Sequence, residues 1–172
     1  WRLQLPVLRA ALRGLARVPQ EQVPVPFGDE AAPAPWLHLE FDIPRLGRRV
    51  DAVLVTSTAV IPIEFKVGAK KFNQLDYEQA WDYGLDLKNF HAPSHAAAIF
   101  PILCATEAPK SDRRWKPPHA DGVRPPFCCN AAGLCTAIAL ALDEVGNAPA
   151  PITPSTWGTG SYSPTPTIIE AA

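Results

Sequence analysis

Arg49-Val-Asp-Ala-Val-Leu-Val-Thr56 and Val60-Ile-Pro-Ile-Glu-Phe-Lys66 are two apolar runs in close succession, and each carries charge where a buried strand should have none. On a strand, residues i and i+2 project from the same face. Glu64 and Lys66 therefore point together, while Phe65 turns into a core. If the two runs pair, Asp51 can join them. Two carboxylates and an ammonium on one sheet face call for a charged partner, and a divalent metal held against a phosphate suits that group.

Working outward, the pattern gives an ordered core between proline-rich stretches. Residues 36–42 alternate and read as a strand. A tight turn at 44–47 leads into the strand 48–56, and 57–59 connects to the strand 60–67, so the three form a meander. Upstream, Leu3, Leu5, Val7, Leu8, Leu12, Leu15 and Ala16 mark an amphipathic helix over 3–17, with Arg9, Arg13 and Arg17 on another face. Pro6 falls where an early helical turn tolerates it. Residues 73–90 switch to helical periodicity. The continuous apolar run 97–105 reads as a strand covered on both faces, made irregular by Pro101. A short strand over 127–129 follows, and Asn130 is placed to cap an apolar helix reaching about Leu142.

With 172 residues, the chain is long enough for one domain with a sizeable core. Its formal net charge of −1 excludes a global attraction to nucleic acid, so any such binding must come from local basic patches. Neither a leader-like segment nor an apolar run of membrane-spanning length is visible, which makes a cytoplasmic location and no membrane partner the expectation. Four cysteines (Cys104, Cys128, Cys129 and Cys135) lack metal-site spacing and have apolar neighbours, so they read as reduced core residues. Twenty prolines, about twice the usual frequency, gather in 19–35, 117–126 and 149–166. The reading is one domain over 1–148 and a proline-rich linker over 149–172. A chain without methionine that opens on Trp1 is expected to be part of something longer.

The order helix, three strands, helix, strand, together with Asp51 and the Glu64-Phe65-Lys66 triplet, resembles the PD-(D/E)xK nuclease superfamily. Val50 stands where that family often has proline. Gln79-Ala-Trp-Asp-Tyr83 resembles the QxxxY motif of its RecB-type and lambda-exonuclease-type members, and its two ends share a helix face. More of the chain is similar to the nuclease-like domain that precedes a Schlafen-group DNA/RNA helicase motor in a bacterial family of uncharacterised proteins. That likeness lies in Ile63-Glu-Phe-Lys-Val-Gly68, Asp82-Tyr-Gly-Leu-Asp-Leu-Lys-Asn-Phe-His91 and Pro164-Thr-Pro-Thr-Ile-Ile-Glu-Ala171.

The resemblance implies an α/β (α+β) domain with a restriction-endonuclease-like αβββαβ core, its mixed central sheet flanked by helices. It implies a hydrolase that cuts nucleic acid, DNA ahead of RNA, as part of a larger nuclease–helicase protein whose motor is covalently linked downstream. A catalytically inactive binding or docking module on the same fold is the alternative. Mg²⁺, with Mn²⁺ as a substitute, is the implied cofactor, because a hard cation takes one or two carboxylates plus water and phosphate oxygens. Asp51, Glu64 and the Phe65 main-chain carbonyl would hold it. Lys66 would orient or help deprotonate a water, or neutralise charge at the phosphate. Gln79 and Tyr83 would position the water or contact the substrate backbone.

Other candidates surround this set. Glu40 lies opposite Asp51 if the first hairpin folds symmetrically about its turn, and would then be a further metal ligand. Lys70 and Lys71 follow the third strand and could hold a phosphate backbone. Arg113, Arg114 and Trp115, between Lys110 and Lys116, combine charge with a stackable ring and are candidate nucleic-acid contacts. His91 and His95 have ligand spacing for a helix, but Pro93 between them favours packing roles.

Overall fold

The structure is a computed structural model that describes residues 2–15, 34–146 and 151–166. Most of the expected proline-rich loop over 19–35, and Ala16 and Arg17 of the first helix, lie outside the described residues.

Helix α1 (Gln4–Leu15) buries Leu8, Ala11 and Leu15 and exposes its arginines, as its periodicity requires. The meander follows as β1 (Trp36–Ile43), β2 (Arg48–Val55) and β3 (Ala59–Lys66), each antiparallel to the next. At the first hairpin Leu46 N–H donates to the Ile43 carbonyl at 3.2 Å. Arg45 and Gly47 both take a φ of 63° there; glycine adopts it freely, arginine only with strain.

Helix α2 (Gln74–Phe90) starts at Asn73, whose side chain accepts from the Asp76 N–H at 2.9 Å while its amide donates back to the Asp76 carboxylate. It stops at His91, just ahead of Pro93. After a turn of 3₁₀ helix over Ala92–Ser94, the chain enters β4 (Ala98–Ile99) and β5 (Ile102–Ala105), both parallel to β3. Strand β6 (Phe127–Cys129) adds in parallel to β5. Helices α3 (Leu134–Val145) and α4 (Pro154–Trp157) complete the set. The result is an α+β fold on a mixed, partly parallel six-stranded sheet in the order β1-β2-β3-β5-β6, with β4 paired to β3.

Alternation sorts the two faces of the sheet. Ile61, Ile63 and Phe65 of β3 pack with Leu8 and Leu15 of α1 and Leu134, Ala137 and Ile138 of α3. Val60, with Val53 and Val55 of β2, turns the other way to meet Tyr83 and Leu87 of α2. Glu64 and Lys66 lie on this second face, under α2. Helix and sheet meet closely because of Gly84: a Cβ there would stand 2.7 Å from the Pro101 ring and 3.1 Å from Val123.

Three expectations change. The run 97–105 is two strands, broken at Phe100-Pro101. Val60 accepts from the Phe100 N–H at 3.0 Å and Lys66 from the Thr106 N–H at 3.2 Å, so the even residues of β3 turn their backbone toward β4 and β5. Pro62, with no N–H, thus faces the break, where none is needed. Asn130 does not cap α3; Gly133 holds that place, and Asn130 accepts from the Gly133 N–H at 2.9 Å in the preceding turn.

The third change concerns the C-terminal segment. The packed domain does not end at 148, because the described part of the expected linker, 151–166, is built into the second core. Ile152 N–H bonds the Ser57 carbonyl, Ser163 N–H the Phe90 carbonyl and Thr165 N–H the Asn89 carbonyl. Trp157 is fully buried among His38, Phe41 and His91, with ring centroids 4.5–5.2 Å away. Its indole N–H donates to Ser94 Oγ at 3.0 Å, and the same oxygen lies 2.9 Å from His91 Nδ1. His91 is therefore a packing residue, as Pro93 suggested. Residues 149, 150 and 167–172 lie outside the described residues.

Candidate active site

The register carries Asp51 to Glu64: one step past the last antiparallel pair, Ala52 with Ile63, the next opposed residues are these two. The ladder stops there. Asp51 Oδ2 accepts the Phe65 N–H at 2.9 Å and replaces the main-chain partner the strand has lost. The N–H and C=O of one strand residue point to the same edge, so the Phe65 carbonyl also faces this gap, beside Asp51.

Lys66 is the hub of the group. Its Nζ lies 2.9 Å from Glu64 Oε1 and 3.2 Å from Asp76 Oδ1, and donates to Gln79 Oε1 at 2.8 Å. Gln79 passes the chain on, its Nε2 donating to the Tyr83 hydroxyl oxygen at 2.7 Å. The spacing of the QxxxY segment explains the last step, since i and i+4 meet on one helix face. The same rule brings in a residue the sequence reading missed. Asp76 stands three positions before Gln79 on that face, and the 76, 79, 83 periodicity was the available signal.

Burial sets the electrostatics. Glu64 is 6% exposed, and desolvation pushes its carboxyl up to about 7; the hydrogen bond from Lys66 opposes that, and the charges of Asp51 and Asp76 add to it. Burial acts to lower Lys66, but Glu64 and Asp76 outweigh it and hold the ammonium above its ordinary value. These directions compete within the contact: burial favours a protonated Glu64, the 2.9 Å ion pair a charged one. Burial dominates on Glu64, the more enclosed partner, while Lys66 is a quarter exposed and stays cationic. Tyr83 is likewise pushed up by burial, so its hydroxyl stays protonated near neutrality.

Of the group, Gln79 and Tyr83 border a surface depression on the α2 side. The depression, of about 380 Å³, is also lined by Arg48, Glu78 and Asp82. Arg48 spans its rim to Asp82 at 3.1 Å and Asp86 at 2.9 Å, so both acids pair with an arginine.

For a metal, the chemistry of the donors fits a hard divalent cation: two carboxylates on adjacent strands and a main-chain oxygen between them. Among the described residues no cluster of three or more acidic, histidine or cysteine side chains is gathered to hold an ion. Two carboxylates with substrate and water oxygens can suffice for Mg²⁺. Taking one up requires Glu64 to lose its proton and Lys66 to loosen its hold.

The remaining candidates fall outside this centre. Glu40 does stand opposite Asp51 by register, but regular pairing skips it; its φ is 49° and its carboxylate lies 3.4 Å from Arg49. Lys70 and Lys71 are exposed on the turn after β3. Arg113 and Arg114 are exposed, but Trp115 is not available for stacking. It is 5% exposed and packs against Phe100 and Phe127, with its indole N–H on the Ala137 carbonyl at 3.1 Å. Flanking charge suggested an exposed ring; a buried acceptor on α3 gave it a place inside. The cysteines are free, with Cys104 and Cys129 buried side by side on β5 and β6. Among the described residues no helix is long and apolar enough to cross a membrane. Comparison with protein-family models, curated proteins and solved structures gave no match.

Proposed function

We propose that this domain is a metal-dependent nuclease of the PD-(D/E)xK type, built on a restriction-endonuclease-like core and hydrolysing phosphodiester bonds, with DNA as the first substrate to test. In the intact protein it would precede a helicase motor. One observation carries the reading: Asp51, Glu64 and Lys66, from two adjacent strands, converge at the point where their ladder ends, and α2 joins them through Gln79 and Tyr83.

Bound Mg²⁺ or Mn²⁺ would polarise the scissile phosphate and supply charge for the leaving oxygen. Asp51, Glu64 and the Phe65 carbonyl would hold it. Lys66, freed in part from Glu64, would hold its ammonium toward the attacking water or a phosphate oxygen, with Gln79 keeping Nζ in place. The Tyr83 hydroxyl oxygen already accepts from Gln79, which leaves its own proton to donate toward solvent or substrate. Glu64→Ala and Lys66→Ala are expected to keep the fold and abolish metal-dependent cleavage of plasmid and single-stranded DNA. Parent-like cutting by both variants rules the assignment out.

A second reading is favoured by how fully the group satisfies itself. Lys66 is shared by two carboxylates and an amide, a state a non-catalytic binding or docking module could keep permanently. Calorimetry separates the two: no heat of binding near millimolar Mg²⁺ or Mn²⁺, with oligonucleotide present, favours the module.

A further inference from the structure

Beside the catalytic candidates, a second stripe of α2 carries a row of rings that meets a basic loop. Tyr77 and Trp81 are one helical turn apart and pack edge to face at 5.9 Å; Trp81 meets His119 in the same way at 4.8 Å. Lys116 holds its ammonium 5.5 Å from the centre of the Tyr77 ring. That face of Tyr77 is therefore turned toward an exposed loop rather than into the core.

The loop itself is firmly anchored. Asp112 exchanges bonds with the Cys128 backbone, its N–H donating at 2.7 Å and its carboxylate accepting at 2.8 Å, and Trp115 is sunk into the core. Arg113 and Arg114 stand between these two fixed points with nowhere to go but outward. Asp112 is the only acid between Ala108 and His119, and its carboxylate is occupied. The seam with α2 is half-closed. Tyr77 and Trp81 are half-buried, Trp81 packing on the second core with its indole N–H enclosed and without an acceptor among the described residues, whereas Lys116 and His119 are exposed.

We propose that Tyr77, Trp81 and His119, with Lys116, Arg113 and Arg114 beside them, form a track for a single-stranded polynucleotide. Aromatic faces interleaved with cations match unpaired bases on a phosphate backbone. A duplex, whose base faces are covered by their neighbours, cannot use the rings. A base entering over Tyr77 displaces the Lys116 ammonium, which then meets the adjoining phosphate. The track begins one residue from Asp76, whose carboxylate holds Lys66; its direction toward a scissile bond rests on the nuclease reading, whereas the binding itself does not.

The test uses fluorescence anisotropy of the whole chain, without divalent metal, against labelled oligothymidylate, oligouridylate and a blunt duplex of equal length. Single strands should bind more tightly than the duplex, and the two single-stranded arms decide between DNA and RNA. Tyr77→Ala and Lys116→Glu should each weaken single-strand binding about tenfold, and Arg113→Glu should weaken it most at low salt and flatten its salt dependence. Lys116→Glu touches only an exposed side chain, so it still reports if the tyrosine variant fails to fold. Unchanged affinity in both variants, a preference for duplex, or no binding of any oligonucleotide overturns the proposal. So does a Tyr77→Ala variant that merely melts earlier, because the rings would then only pin the loop. A parent that binds through these residues yet never cleaves with Mg²⁺ removes the nuclease reading and leaves the track; cleavage with binding unaffected by the variants does the reverse.

Discussion

Glu64 carries the largest resolved consequence of burial at the candidate site. Its carboxyl moves from the ordinary 4.5 to about 7, so between these values the folded chain holds a proton that the unfolded chain has released. Stability contributed here is present below pH 4.5 and lost as pH rises through 7, up to about 3 kcal/mol. Glu64→Gln should therefore gain stability relative to the parent as pH increases through that window, read by urea melts in metal-free buffer; a constant difference across pH contradicts the burial argument. His91 works with the opposite sign. Burial lowers it from 6.5 to about 4, so its contribution is present above 6.5 and lost as pH falls, which offsets the Glu64 slope over much of the same range. Asp76 belongs to this scale as a positioning residue. Asp76→Asn keeps the cap on α2 but removes one carboxylate from Lys66, and we expect turnover to fall by about tenfold to a hundredfold with a shifted pH profile and little change in melting temperature. Unaltered turnover and pH profile would make Asp76 a helix cap and nothing more.

Single elements show how α2 is held to the sheet. Gly84→Ala adds helix propensity worth up to about 1 kcal/mol, but the new methyl meets the Pro101 ring, a buried segment with little room to give. Overpacking of this kind costs about 1–3 kcal/mol, so a net loss of stability is expected, along with lower activity as α2 lifts Gln79 and Tyr83 from Lys66. A higher melting temperature in this variant would show that the helix can shift without strain. Much of this element was legible beforehand. Asp51, Glu64 and Lys66 could be grouped because the strand period is a local rule, whereas Gln79 and Tyr83 joined them through the QxxxY resemblance, the helix period showing only that the two share a face. Asp76 was not picked out, because its meaning depends on which way α2 lies across β3. Pro62 and Pro101 were both visible, but only pairing reveals that the donor missing from Pro62 and the break before Pro101 face each other.

For the whole molecule, the C-terminal segment matters most. Trp157 is wholly enclosed by rings from β1 and the end of α2, so Trp157→Ala should cost about 3–5 kcal/mol, measured by denaturant unfolding. Truncation at 148 should give a chain that unfolds cooperatively at much lower denaturant or not at all; a truncated domain as stable as the parent would restore the shorter boundary. Proline content alone suggested a linker, because proline signals a lack of regular structure and says nothing of burial.

The alternation of apolar and charged residues determined by itself that strands carrying Asp51, Glu64 and Lys66 would form, and that the helix after them would turn Gln79 and Tyr83 to one side. These are consequences of backbone geometry over a few residues. Tertiary structure alone decided that Asp76 reaches Lys66, that Trp115 points inward, that Trp157 closes the second core and that the basic loop lies against Tyr77. Each of those depends on which surfaces meet across long stretches of chain, where the gain from burying a ring or pairing a charge is set by a partner that no local pattern names.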